Sequence, residues 1–272
     1  MSRLVTRFAT LREQGRTALI PYITAGDPQP LVTVPLMHAL VAAGADVLEL
    51  GVPFSDPMAD GPVIQAACER ALEHHVSLRQ ILDMVSTFRQ QDEQTPVVLM
   101  GYLNPVEVMG YEVFSRAAHE AGVDGVLTVD LPPEEAQDLL VSLKAEGLDP
   151  IFLAAPTSDD ERIRLMSRSG GGFLYYVSFK GVTGANRLDV QSVKDKLTQI
   201  RSNTELPVGV GFGISDAESA ARIAEFADAV VVGSALVKRI AALVDSPEQI
   251  PVQAPLLIAE MRAAMDRVVA TS

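Results

Sequence analysis

Cysteine is almost missing from this 272-residue chain; Cys68 is the only one. No intrachain disulfide can form, which fits a reducing, cytoplasmic compartment. Cys68 falls in a helical run, 64–72, and reads as a small buried hydrophobe rather than a nucleophile. Basic residues are also scarce. With 22 Lys and Arg against 35 Asp and Glu, the net charge is −13. Nucleic-acid binding needs a basic field, so no nucleic-acid partner is expected. One phosphate group is still compatible, because a few backbone N–H groups can hold it. Otherwise the acidity serves solubility. Nowhere do 18 apolar residues run together, so no membrane association is expected. The four histidines, His38, His74, His75 and His119, fall in predicted helices without metal-ligand spacing. No catalytic metal is expected. Acids are rare at the N-terminus, where Arg3, Arg7, Arg12 and Arg16 faintly suggest a transit peptide. The same stretch places Leu4, Phe8 and Leu11 on one helical face, and an amphipathic helix under the first strand is the preferred reading.

Apolar residues, by contrast, make up 48% of the chain, enough for a large core. They come in short runs typical of strands buried on both faces. Eight such runs stand at 18–23, 47–50, 97–100, 125–129, 151–154, 173–177, 208–212 and 229–232. Helical segments separate them, near 31–43, 62–91, 105–120, 133–146, 159–168, 189–202 and 216–224. Two more follow near 234–244 and 254–270, with a proline-rich hinge at 245–255. Four strands are entered by an acid: Asp46, Asp124, Asp149 and Asp228. Gly44, Gly122 and Gly147 precede three of them as left-handed helix caps. The alternation predicts an α/β fold, a single (β/α)8 TIM barrel over residues 1–272 with an extra N-terminal and C-terminal helix. An open doubly wound sheet is the alternative.

In such a barrel the site lies at the C-terminal strand ends. Val47 and Glu49 share a face, so Glu49 stands at the rim of an apolar interior, where desolvation raises its pKa. Asp60 follows in a loop shaped by Gly51, Pro53, Pro57, Gly61 and Pro62 and could stay ionised. Two carboxylates with separated roles suit acid–base work. Equally, Glu49 could belong to an ion pair and Asp60 to a turn. Gly213 after the seventh strand, and Gly233 with Ser234 after the eighth, suit a phosphate grip or tight turns alone. Residues 178–185 read as a lid. Within it Gly184 could extend the phosphate site, and Lys180 invites a Schiff-base aldolase or is a solvated loop residue. Tyr175 points inward, as a mouth hydroxyl or as core. Tyr22, Met100, Leu127, Tyr175 and Phe212, all at strand ends, suit a flat aromatic substrate with a phosphate tail.

The segments 48–62, 22–28, 100–105, 129–133, 181–184 and 210–215 resemble, in order and along nearly the whole chain, the signatures of the tryptophan synthase alpha chain family. The resemblance implies a lyase of L-tryptophan biosynthesis. It would split indole-3-glycerol phosphate into indole and glyceraldehyde 3-phosphate by a retro-aldol step without metal or Schiff base. It implies that Glu49 protonates indole C3 and handles the glycerol hydroxyl proton. Asp60 would hold the indole N–H, and Tyr175 would assist near Glu49. Gly184, Gly213, Gly233 and Ser234 would hold phosphate, and Thr183 would close the lid toward Asp60. The partner it implies is a beta chain that alone carries pyridoxal phosphate, in an α2β2 tetramer, facing Pro53, Asp56 and residues 104–110. Departures are Phe179 and Lys180 where arginine is common, and Tyr22 and Met100 for phenylalanine and leucine. A non-catalytic barrel that activates a partner enzyme is a further alternative.

Overall fold

The computed structural model describes residues 2–177, 190–211 and 213–269. Its strands are β1 Ala18–Thr24, β2 Leu48–Gly51, β3 Val97–Gly101, β4 Gly125–Thr128 and β5 Asp149–Ile151. They continue with β6 Leu153–Ala154, β7 Leu174–Val177, β8 Val208–Gly211 and β9 Ala229–Val232. All pair in parallel, in the order β5-β4-β3-β2-β1-β9-β8-β7-β6. The two ends of this order are parted in sequence only by Phe152, whose carbonyl accepts the Tyr175 N–H. The sheet therefore closes into the (β/α)8 barrel, and the open-sheet alternative falls. The predicted strand 151–154 is corrected: it begins at Asp149 and is split, its first half pairing with β4 and its second with β7.

Two predicted helices are also split. The run 62–91 forms Pro62–Glu73 and Leu78–Arg89, because Ser77 caps the second with a reciprocal bond to Gln80. His75 sits in the break at a positive φ of 55°, so it is not helical as expected. The run 105–120 forms Leu103–Met109 and Tyr111–Ala121 around Gly110, whose φ of 86° a side chain would resist. The run 133–146 starts only at Gln137. The hinge at 245–255 is largely helical, with a 3-10 turn Pro247–Gln249 running into Ile250–Gln253. Among the described residues no helix is long and apolar enough to cross a membrane.

Alternation divides the core in two. Outward residues such as Leu48, Leu50, Val97 and Leu99 pack under the helices. Inward residues such as Ile20, Val47, Val98, Leu127, Ile151, Phe173 and Val231 fill the barrel. The N-terminal helix, Arg3–Glu13, plugs the foot of this inner core with Leu4, Phe8 and Leu11. Each such burial contributes about 1.5–3 kcal/mol relative to exposure. Phe8 meets Phe173 with ring centroids 5.7 Å apart.

The acids that open strands turn out to be bonded in a repeated way. Asp46 gives its N–H to the Leu19 carbonyl and takes the Leu19 N–H on its carboxylate. Asp124 does the same with Val97, and Asp228 with Val208. Each carboxylate also takes an arginine: Arg262 on Asp46, Arg89 and Arg3 on Asp124, Arg201 on Asp228. Asp149 differs, its carboxylate taking the Ser2 hydroxyl. These pins tie each strand's start to its neighbour and to a helix. Asp124→Ala leaves the largely buried Arg89 guanidinium without its carboxylate, though the Gly122, Asp92 and Thr95 carbonyls still accept from it, and leaves the Val97 N–H without its acceptor. Removing one partner of a buried pair costs about 3–5 kcal/mol, so urea denaturation should show a loss of unfolding free energy of that size and a correspondingly lower midpoint. A midpoint within error of the parent would refute the pinning role.

Candidate active site

The mouth of the barrel holds a cavity of about 650 Å³, including the part open to solvent. Its wall brings together Tyr22, Glu49, Asp60, Met100, Tyr175, Gly213, Gly233 and Ser234. Sequence reasoning missed Gly61, Ile64, Ile214 and Val231, which share that wall. The inward alternation of β9 signalled Val231; nothing comparable marked Ile64, which depends on how the helix Pro62–Glu73 leans on the barrel. Leu127 is 1% exposed and packs in the barrel interior in one cluster with Tyr175 and Met100 of the wall. It pairs with Ile151 and belongs to the filled layer beneath the mouth. Lys180, Thr183, Gly184 and Phe212 lie outside the described residues.

Glu49 reaches the cavity because β2 alternates: Leu48 and Leu50 turn out to the helices and Glu49 turns in. Its strand neighbours are Tyr22 and Val98. Only 1% exposed, it has no ion-pair partner among the described residues, and its Oε1 has no hydrogen bond. Burial, and then the charge of Asp60, push its carboxyl up to about 8. Near neutral pH it is a protonated acid held among apolar groups.

Asp60 is held differently. Its Oδ2 takes the Tyr102 hydroxyl at 3.0 Å, and that hydroxyl takes the Ala59 N–H at 2.9 Å. Gln65 donates to the Asp60 carbonyl at 2.8 Å. Phe54 stacks on Tyr102 with centroids 5.1 Å apart. Burial raises the Asp60 carboxyl, and the Tyr102 bond opposes that rise. Tyr102 is a residue sequence reasoning assigned no role, because its partner lies on a different loop. The two acids thus converge on one cavity, one unsupported and one hydrogen-bonded.

Two aromatic hydroxyls share the site, and glycine makes room for each. A Cβ on Gly211 would stand 2.2 Å from the Tyr175 oxygen, and one on Gly51 2.1 Å from the Tyr22 oxygen. Burial is the main reason both phenols are raised well above their ordinary value, so both remain protonated donors. At the cavity's other side Gly213 turns at a φ of 79°. The helix it leads to, Ala217–Ala224, is capped by Asp216. The helix Ser234–Ala241 follows Gly233 and has no side-chain cap. Its first N–H groups and positive dipole end are therefore open to an anion. Among the described residues no three His, Cys, Asp or Glu side chains gather as a metal site would require.

A greasy slot with one neutral and one supported acid, and an uncapped helix start beside them, fits proton transfer on an aromatic phosphate. Comparison with known proteins agrees. The family profile described as Tryptophan synthase alpha chain matches residues 8–266. The tryptophan synthase alpha chain of Thioalkalivibrio sulfidiphilus is 67% identical over 266 residues, covering 98% of this chain and all (100%) of that one. That of Nitrosococcus oceani is 63% identical, with 98% of each chain covered. Among solved structures, tryptophan synthase subunit alpha from Legionella pneumophila superposes with a TM-score of 0.93 at 46% identity, covering 98% of this chain and 99% of that one. A chain of tryptophan synthase from M. tuberculosis in its aminoacrylate-bound form gives 0.85 at 37% identity, covering 97% and 100%.

The hydrogen bond from Tyr102 favours ionised Asp60, so Tyr102→Phe should raise the Asp60 carboxyl further. The acid limb of kcat/KM against pH should then move to higher pH. A limb that stays in place or moves down would reject this role for Tyr102.

Proposed function

The chain belongs to the tryptophan synthase alpha chain family and is a lyase that cleaves indole-3-glycerol phosphate to indole and glyceraldehyde 3-phosphate; from that premise we propose that Glu49 and Asp60 carry the cleavage as an acid–base pair. The supporting observation is Glu49 itself, buried, lacking any ion-pair partner among the described residues, and raised to about 8.

As a neutral acid Glu49 delivers its proton to indole C3. That breaks the aromaticity of the five-membered ring and leaves positive charge at the ring nitrogen. Asp60 accepts the hydrogen bond of the ring N–H and stabilises that charge, which requires Asp60 to be ionised. The ring now serves as an electron sink. The bond between C3 and the glycerol carbon breaks, its electron pair restores the indole, and the glycerol hydroxyl becomes the aldehyde of glyceraldehyde 3-phosphate. The proton lost from that hydroxyl returns to Glu49, so the acid is regenerated and every proton is accounted for. Tyr175, a protonated phenol on the neighbouring wall, assists beside Glu49. This scheme needs neither a metal nor a Schiff base nor another cofactor.

Gly213, Gly233 and Ser234, with Gly184, take the phosphate, and Tyr22, Met100 and Phe212 enclose the ring. Thr183 closes toward Asp60. The chain works as one barrel domain over residues 1–272. It associates with a beta chain, which alone carries pyridoxal phosphate and consumes the indole, in an α2β2 assembly. Met58, 85% exposed, and Val108, 81% exposed, support this placement, since both stand beside Pro53, Asp56 and residues 104–110 in sequence. A single buried cysteine fits work in the cytoplasm.

Glu49→Gln should cut indole release by about 10²–10⁴, the usual loss for one general acid–base group. Near-normal release would reject the assignment. In the parent, cleavage should fall as pH rises through about 8, because the ionised carboxylate has no proton to deliver. A rate flat from pH 7 to about 9 would count against Glu49 as the acid.

A further inference from the structure

Two hydroxyls stand on the inner face of β1, on Tyr22 and Thr24, with their oxygens 3.1 Å apart and both side chains buried. Either one can be the donor of that bond. Two hydroxyls bring two protons, and one shared bond uses one of them. Among the described residues neither hydroxyl has a second hydrogen-bond partner. One O–H is therefore spare.

The neighbouring strand carries the complement. Tyr22 is the register partner of Glu49, and Thr24 that of Gly51. The Tyr22 side chain passes across Gly51, whose missing Cβ lets the phenol oxygen lie against β2. Glu49, one step below, presents a buried Oε1 with no partner. Tyr22, whose O–H is free whenever Thr24 is the donor, and the unpaired Glu49 acceptor thus line one cavity from adjacent strands. Among the described residues, the titratable groups near Glu49 are Asp60 from the loop after β2, Tyr22 from β1 and Tyr175 from β7. Cys68, on the helix Pro62–Glu73, stands behind Tyr22, and Tyr102 stands behind Asp60. None of these is a cation. Among the described residues, a carboxylate formed at Glu49 has only hydroxyl dipoles for support.

We propose that Tyr22 is a positioning residue for Glu49, its proton resting on Thr24 while Glu49 is a neutral acid and turning into the cavity once Glu49 has become a carboxylate. A hydrogen bond to an ionised group is roughly twice as strong as one between neutral groups, which supplies the bias for the turn. When Glu49 recovers its proton, the phenol returns to Thr24. The inference rests on Glu49 as the proton carrier and adds a device that steadies its charged form.

The test uses three variants of the full chain and the alkaline limb of kcat/KM for indole release from indole-3-glycerol phosphate. The substrate's own ionisation is common to all of them. Tyr22→Phe removes the support for the carboxylate, so the limb should move up by about half a unit. Thr24→Val takes away the resting place of the proton, so the phenol turns to Glu49 and the limb should move down. Thr24→Ser keeps the hydroxyl and should leave the limb where it is. Opposite shifts in the first two variants are the expected result, since a merely structural role would not move the limb in two directions. Unmoved limbs, or shifts of the same sign, would overturn the proposal. Persistence of the limb in Glu49→Gln would instead overturn the acid assignment beneath it, so the two failures are told apart.

Discussion

Strand register decides which side chains of a barrel look inward, and here register is pinned at the foot by aspartates. Asp46, Asp124 and Asp228 each bond both backbone groups of a residue on the adjacent strand. A slip of one residue would turn every side chain of a strand to the other face. Glu49 would then point at the helices, where an unpaired carboxyl has no place. Ionic pins at the sealed end thus hold in position a carboxyl at the open end, three residues up the same strand from Asp46. The arginines extend the hold to the helices, and Arg262 brings in the C-terminal helix Leu256–Val269.

The mouth inverts the logic of the foot. Below, Asp46, Asp124 and Asp228 are each given an arginine and a backbone donor; above, Glu49 is given neither among the described residues. That difference in company separates structural acids from a proton carrier, since Asp46, Asp124 and Glu49 are all buried. Asp60 stands between the two treatments, half-buried and bonded by one phenol. Two carboxyls in one cavity repel each other's charge, so burial and Asp60 both push Glu49 toward the neutral form. The same feature that makes Glu49 costly to ionise makes it ready to give a proton.

Much of this was legible in the sequence, and the rest was hidden for physical reasons. Short apolar runs located every barrel strand, because buried parallel strands admit little else. The step from Val47 to Glu49 put that acid inside, and the glycine before each of Asp46, Asp124 and Asp149 marked the helix ends. What failed was punctuation inside helices. His75 takes a positive φ without being glycine, and Gly110 breaks the run 105–120 with no proline or polar loop beside it to mark the break. The two-part fifth strand follows from closure, which no local pattern encodes. Tyr102 and Ile64 needed the loop and helix placed in space before their roles could appear.

The eighth strand offers a last point. β8 puts glycines, Gly209 and Gly211, where its neighbours put side chains, and Phe173, just before β7, and Tyr175 within it occupy the vacated room. One strand furnishes the interior for two. Heredity must therefore treat 173 with 209, and 175 with 211, as compound letters: a bulkier residue on one side is tolerable only with a smaller one opposite, and lineages should travel between such combinations by paired rather than single changes.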